Sequence, residues 1–194
     1  MAAYRGLSFY EKKNKISKSM IKEILSVIFY SFVAILLAFV IVFSVGMKVG
    51  NVGVSMEPVL YNGQQVLINR FVYKISSPKR GDIVAFLPNG NTNSHYYLKR
   101  IIGLPGETVQ IIGGYVYIDG VPLEEDEAYD KMADPGIAEM EVVLGSDEYF
   151  VLGDNRNNSE DSRSGNIGVI SGNAIVGKAW FHLSCDEADM GFVE

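Results

Sequence analysis

The chain has 194 residues, 48% of them hydrophobic, with 17 Lys and Arg against 23 Asp and Glu and a formal net charge of −6. That length suffices for one membrane segment and one domain with a core of its own. The acid excess lies in residues 48–194, where 21 Asp and Glu face 11 Lys and Arg, and so acidic a domain excludes nucleic acid as its partner because phosphate binding requires a basic face.

The first 23 residues are basic, with Arg5, Lys12, Lys13, Lys15, Lys18 and Lys22 against Glu11 and Glu23. From Ile24 to Met47 there follow 24 residues without Asp, Glu, Lys, Arg or His. At roughly 1.5 Å per residue a helix of this length crosses a hydrocarbon core of about 30 Å. The apolar region of a cleavable signal peptide is shorter, about 7–15 residues. The expectation is a retained transmembrane helix over 24–47. Basic residues precede it and only Lys48 follows closely, so residues 1–23 are expected in the cytoplasm and residues 48–194 outside it.

Beyond residue 48 no long helical period recurs. Short alternating or β-branched runs predict strands over 65–69, 82–87, 96–102, 108–112, 115–118, 149–152 and 175–181. Gly113-Gly114 and Asp119-Gly120 are short enough to close hairpins, and Pro105-Gly106 marks another turn. The predicted class is an all-β domain of antiparallel strands. Residues 124–148, which open on Glu124-Glu125-Asp126-Glu127, read as an acidic surface excursion, and Asp186–Glu194 as a polar tail. Cys185 is the single cysteine, which excludes an internal disulfide and a zinc site built on cysteines.

Three stretches carry chemistry. Gly53-Val54-Ser55-Met56-Glu57-Pro58-Val59-Leu60 presents one hydroxyl, Ser55, just after the apolar run. Serine becomes a nucleophile only with a base within hydrogen-bonding reach. His95 and His182 stand beside predicted strands in no recognisable triad and read as surface residues. Lys99 shares a strand face with Tyr97 and Ile101. Position alone reads it as a lysine that keeps its tip in solvent. Burial among apolar neighbours would instead lower its pKa and make it a base, and Ser–Lys pairs are a known variant of the triad. The third stretch, Gly153 to Arg163, packs hydroxyls, carboxylates and guanidiniums densely enough to build a fixed network around such a base.

Together these stretches resemble the bacterial type I signal peptidases, membrane-bound serine proteases with a Ser–Lys dyad. Ser-Met-x-Pro-x-Leu over 55–60 is similar to the family's nucleophile box, and Lys-Arg-Ile-Ile-Gly-Leu-Pro-Gly-Glu over 99–107 to its general-base box. Gly-Asp-Asn-Arg-x-x-Ser-x-Asp-Ser-Arg over 153–163 matches its C-terminal box, and Gly81-Asp82-Ile83-Val84 a further family segment. The order of the boxes and the preceding anchor fit the compact, single-anchor enzymes of Gram-positive bacteria.

The resemblance implies an all-β catalytic domain with Ser55 as nucleophile near the membrane surface and Lys99 as general base. It implies that Ser159 orients the Lys99 amine by a hydrogen bond and that Asp161 and Arg163 form a supporting ion pair with Asp154 nearby. The Ser55 backbone amide would donate to the oxyanion. Gly53 stands where some members carry a second, side-chain donor, and Val59 stands where Thr is more usual. The implied reaction removes signal peptides from exported preproteins after an A-x-A-like site, at the lipid bilayer, with no metal or organic cofactor. Soluble repressor-type self-cleaving proteases share the dyad but lack the anchor. Eukaryotic and archaeal signal peptidases use His where Lys99 stands. The alternative of another class is a catalytically inactive, membrane-anchored β-rich binding module.

Overall fold

The computed structural model describes residues 17–88, 95–125 and 129–193. Arg5, Lys12, Lys13 and Lys15 lie outside the described residues, as do Asp126 and Glu127 of the acidic stretch. The chain divides into two units, Met1–Ser44 and Val45–Glu194.

Nearly all the described residues of the first unit belong to helix α1 (Lys18–Val45). Ser17 caps it, its Oγ accepting the Ser19 N–H at 3.3 Å, so one of the free amides of the first turn is satisfied. The helix starts ahead of the apolar run because Lys18, Lys22 and Glu23 are good helix formers in their own right. It stops at Val45, short of the expected end at Met47, because Gly46 is a poor helix former and, with Met47, already belongs to the strand that follows. Leu25, Phe29, Phe32 and Leu36 are all exposed along it, and a helix apolar on every side requires an apolar solvent. By length and composition α1 can cross a membrane.

The second unit is all antiparallel β. One sheet runs in the order β1 (Gly46–Gly50), β2 (Gln65–Asn69), β11 (Ile175–His182), β3 (Ile83–Phe86), β4 (Tyr97–Gly103), β9 (Glu148–Leu152) and β10 (Ile170–Ser171). The last strand, β12 (Gly191–Phe192), also pairs with β11. A four-stranded sheet of β7 (Val121–Pro122), β6 (Tyr115–Ile118), β5 (Thr108–Ile112) and β8 (Val142–Val143) accompanies it. The short helix α2 (Val72–Ile75) comes after β2.

Each of the seven predicted runs forms a strand, and 65–69, 108–112 and 115–118 match residue for residue. At Gly113-Gly114 and Asp119-Gly120 both residues take positive φ, as the tightest hairpin turns require. The strands not predicted are β1, which follows directly on the apolar run, and the two-residue strands β7, β8, β10 and β12, which are too short for a period to register.

Two readings need correction. Within 124–148, Met132, Ala138 and Leu144 are buried in a core with Val109, Phe150 and Leu152, and β8 pairs with β5. That segment supplies core as well as surface. The tail is not simply polar either, because Phe192 pairs opposite Phe181.

Strand β4 is an interior strand of the large sheet. It lies between β3, with Val84 opposite Lys99, and β9, with Leu152 opposite Arg100. Most of its residues are buried, Lys99 among them.

Candidate active site

Ser55 sits on the turn between β1 and β2. Met56 and Leu60 are fully buried beside it in a core with Val66, Ile68, Ile83 and Leu98, and Val59 packs against the same cluster. The apolar residues of the nucleophile box therefore serve as its anchor, Val59 included. Gly53 has φ +85, a region costly for residues with a Cβ. The position that lacks a side-chain donor is thus one where the backbone itself calls for glycine.

The Nζ of Lys99 lies 2.6 Å from Ser55 Oγ. Lys99 is only 4% exposed, and its amine sits over the Tyr97 ring at 5.6 Å from the centroid. Burial lowers its pKa to about 8, opposed by the carboxylates of Asp161, Asp154 and Glu160 and assisted by Arg163. At pH 7 an ordinary lysine is neutral in roughly one molecule in a few thousand, whereas at this pKa about a tenth is.

The segment 153–163 wraps both groups. Asn155 donates its backbone N–H to the Ser55 carbonyl at 3.1 Å and its side-chain Nδ2 to the Val54 carbonyl at 3.2 Å. Asp161 receives the Gly153 N–H at 3.1 Å and pairs with Arg163 through two contacts of 2.9 Å. The expected Asp161–Arg163 ion pair is present, and both side chains are buried.

Asp154, by contrast, pairs with Arg100, the residue after Lys99, through two contacts of 2.8 Å. Arg156 donates to the Gly153 carbonyl, grips Glu125 with both terminal nitrogens and stacks on Tyr129 at 4.2 Å.

The Ser159 hydroxyl does not make its expected bond to the Lys99 amine. It is buried without a hydrogen-bond partner among the described residues, while the amine is directed to Ser55 Oγ. Ser159 packs at Gly153, where an added Cβ would fall 2.2 Å from Ser159 Oγ and 2.5 Å from the Ser55 carbonyl oxygen. Only glycine lets the segment approach the serine this closely.

A cleft of about 330 Å³ opens over the pair, lined by Gly53, Val54, Tyr97, Asn158, Glu160 and His95. His95 is an exposed wall residue stacked on Tyr97 at 5.0 Å. His182 Nδ1 lies 2.9 Å from the Gln64 amide and belongs to the β2–β11 framework. Neither is bonded to Ser55.

The model of the family described as signal peptidase, peptidase S26, matches residues 24–184. The chain belongs to this signal peptidase family. Signal peptidase I T of Bacillus subtilis (strain 168) is 41% identical over 138 residues, covering 66% of this chain and 69% of its own. Signal peptidase I P of Bacillus subtilis subsp. natto is 36% identical over 132 residues, covering 64% of this chain and 70% of its own. A solved signal peptidase I from Enterococcus faecalis V583 is 31% identical and covers 54% of this chain and 97% of its own, with a TM-score of 0.42.

As a signal peptidase the protein is a hydrolase, and the matched region spans Ser55, Lys99 and the whole of segment 153–163. Sequence reasoning missed Arg100 and Asn155 as contacts, although both lie inside the quoted boxes. It had no signal for Glu125, which meets Arg156 from 31 residues away.

Proposed function

We propose that the protein is a membrane-anchored serine endopeptidase that removes signal peptides from exported preproteins with Ser55 as nucleophile and Lys99 as general base. The observation that carries this reading is the 2.6 Å contact between Ser55 Oγ and a buried lysine amine of lowered pKa. Neutral Lys99 takes the Ser55 proton as Oγ attacks the carbonyl carbon of the scissile bond. The resulting oxyanion accepts the Ser55 N–H, which no described residue engages. Protonated Lys99 then gives its proton to the leaving amine, and the C–N bond breaks. A water next attacks the acyl-enzyme and passes its proton to Lys99. Return of that proton to Ser55 Oγ releases the carboxylate product.

Asp161, Arg163 and Asp154 hold segment 153–163 against the dyad. Ser159 offers a second hydroxyl near the lysine when Ser55 Oγ is committed to the acyl bond. The Gly53, Val54 and Tyr97 side of the cleft would receive the small residues of an A-x-A site. Helix α1, with its N-terminus cytoplasmic, tethers the domain to the bilayer that holds the substrate's apolar segment and so raises effective concentration.

The test is cleavage of an A-x-A preprotein in detergent by wild type, Ser55→Ala, Lys99→Ala and His95→Ala. The dyad requires cleavage after the last small residue by wild type and His95→Ala alone. Activity surviving in Lys99→Ala with loss in His95→Ala would move the base to His95. No cleavage by folded wild type would favour a binding module.

A further inference from the structure

The turn that carries Ser55 is closed by two asparagine side chains from opposite ends. Asn51, 3% exposed, directs its Nδ2 at the carbonyls of Leu60 at 3.1 Å, Tyr61 at 2.9 Å and, more weakly, Gly53 at 3.4 Å. Three carbonyl acceptors around one amide group require its NH₂ end, not its oxygen. Asn51 also uses its backbone: its N–H donates to Gln64 and its carbonyl accepts from Gly63, both at 2.8 Å. From the other end Asn62 Oδ1 accepts the Gly53 N–H at 2.8 Å. Between these ties lies Gly53, at φ +85 with nothing within 4 Å of where a Cβ would stand. The side a Cβ would take is open, and the bonds from Asn62 and Asn51 fall on the backbone N–H and carbonyl of Gly53. Two residues on, Ser55 presents its amide and hydroxyl.

We propose that Asn51 and Asn62 are positioning residues for the peptidase reaction, clamping Gly53 from both sides so that the Ser55 N–H and Oγ stay aligned on the scissile carbonyl. This rests on Ser55 as nucleophile. The clamp acts through the backbone, touches neither Lys99 nor its carboxylates, and so governs turnover without altering the proton affinity of the base. Asn51 is buried and its replacement endangers the fold, so the exposed Asn62 carries the decision. Asn62→Ala removes the acceptor for Gly53, whereas Asn62→Asp keeps an oxygen in its place.

The experiment measures kcat, KM and the pH profile of the full chain in detergent on an A-x-A peptide, for wild type, Asn62→Ala, Asn62→Asp and Ser55→Ala. The clamp predicts about a tenfold fall in kcat for Asn62→Ala at nearly unchanged KM, of the order that misalignment of reacting groups produces. It predicts recovery to within about twofold in Asn62→Asp, and a rise of rate with pH that Asn62→Ala leaves in place. Wild-type kcat in Asn62→Ala would overturn it, as would a loss confined to KM or an Asn62→Asp variant as slow as Asn62→Ala. Activity remaining in Ser55→Ala would remove the nucleophile assignment itself, an outcome read independently of the asparagine variants.

Discussion

Lys178 and Lys99 both stand in interior strands of the large sheet, and their surroundings differ. Lys178, on β11, keeps 38% of its side chain exposed and meets Asp82 Oδ1 at 2.5 Å. Asp82 is buried, which works against its charge. Bonds from Lys178, the Lys79 N–H and Tyr73 nevertheless hold its carboxyl below the ordinary range. That lysine is a structural cation. Lys99 is buried in β4 with carboxylates close enough to raise its pKa, yet it makes no ion pair among the described residues. The two that act on it most are already taken, Asp161 by Arg163 and Asp154 by Arg100. Arginine suits this role, because its planar fork grips a carboxylate at two points and it stays charged at any working pH. A lysine becomes a candidate base where burial is combined with carboxylates spoken for by guanidiniums.

The sharpest way to break the contrast is to free one of those carboxylates. Arg100→Met leaves Asp154 buried and unpaired beside Lys99. Losing one partner of a buried pair costs about 3–5 kcal/mol, part of it recovered as the amine turns to Asp154. Thermal melting should register the loss, and the rising limb of the pH–rate profile should move alkaline by about a unit. A limb that stays in place would show that arginine pairing is not what keeps Lys99 a base.

Lys99→Met tests the other side. The folded pKa of Lys99 lies below its unfolded value, so the unfolded chain binds the extra proton between about pH 8 and 10.5. Burying the charged form therefore costs stability in full below pH 8, and the cost disappears as pH approaches 10.5. The inactive variant should be more stable than wild type at pH 7, by roughly 3 kcal/mol on the size of that shift. The advantage should fade as the pH is raised. A destabilised Lys99→Met would contradict the burial argument.

Lys178→Met should do the reverse, losing about 1 kcal/mol for a half-exposed pair while leaving the pH profile untouched. The smallest effect is expected at Glu160, exposed on the cleft wall. Glu160→Gln removes one of the carboxylates that raise the Lys99 pKa, and solvent screening limits the acid shift of the limb to a few tenths of a unit.

Much of this site was legible in the sequence because its chemistry is concentrated in contiguous boxes. Ser55, Lys99 and the Asp161–Arg163 pair are each held within a few residues of a recognisable turn or strand, and alternation exposed the strands that carry them. The contacts that escaped are those the tertiary fold brings together. The partner of Asp154 is on another strand, and that of Arg156 lies in a stretch whose acidic composition masked buried Met132, Ala138 and Leu144. Ser159 shows the limit from the other direction. A hydroxyl placed correctly by its box still has its hydrogen bonding decided by the approach of Gly153 and the direction of the Lys99 amine. Strands of two residues, such as β8 and β12, carry no period to read.

If Lys99 works as a base because burial without an ion pair lowers its pKa, the pH dependence of cleavage must carry that pKa. The decisive measurement is kcat/KM against pH for wild-type cleavage of an A-x-A peptide in detergent, which reports the free enzyme's essential groups. A rising limb with an apparent pKa of about 8 is expected. A limb at the ordinary lysine value of about 10.4, or a profile flat from acid to alkaline pH, would contradict it.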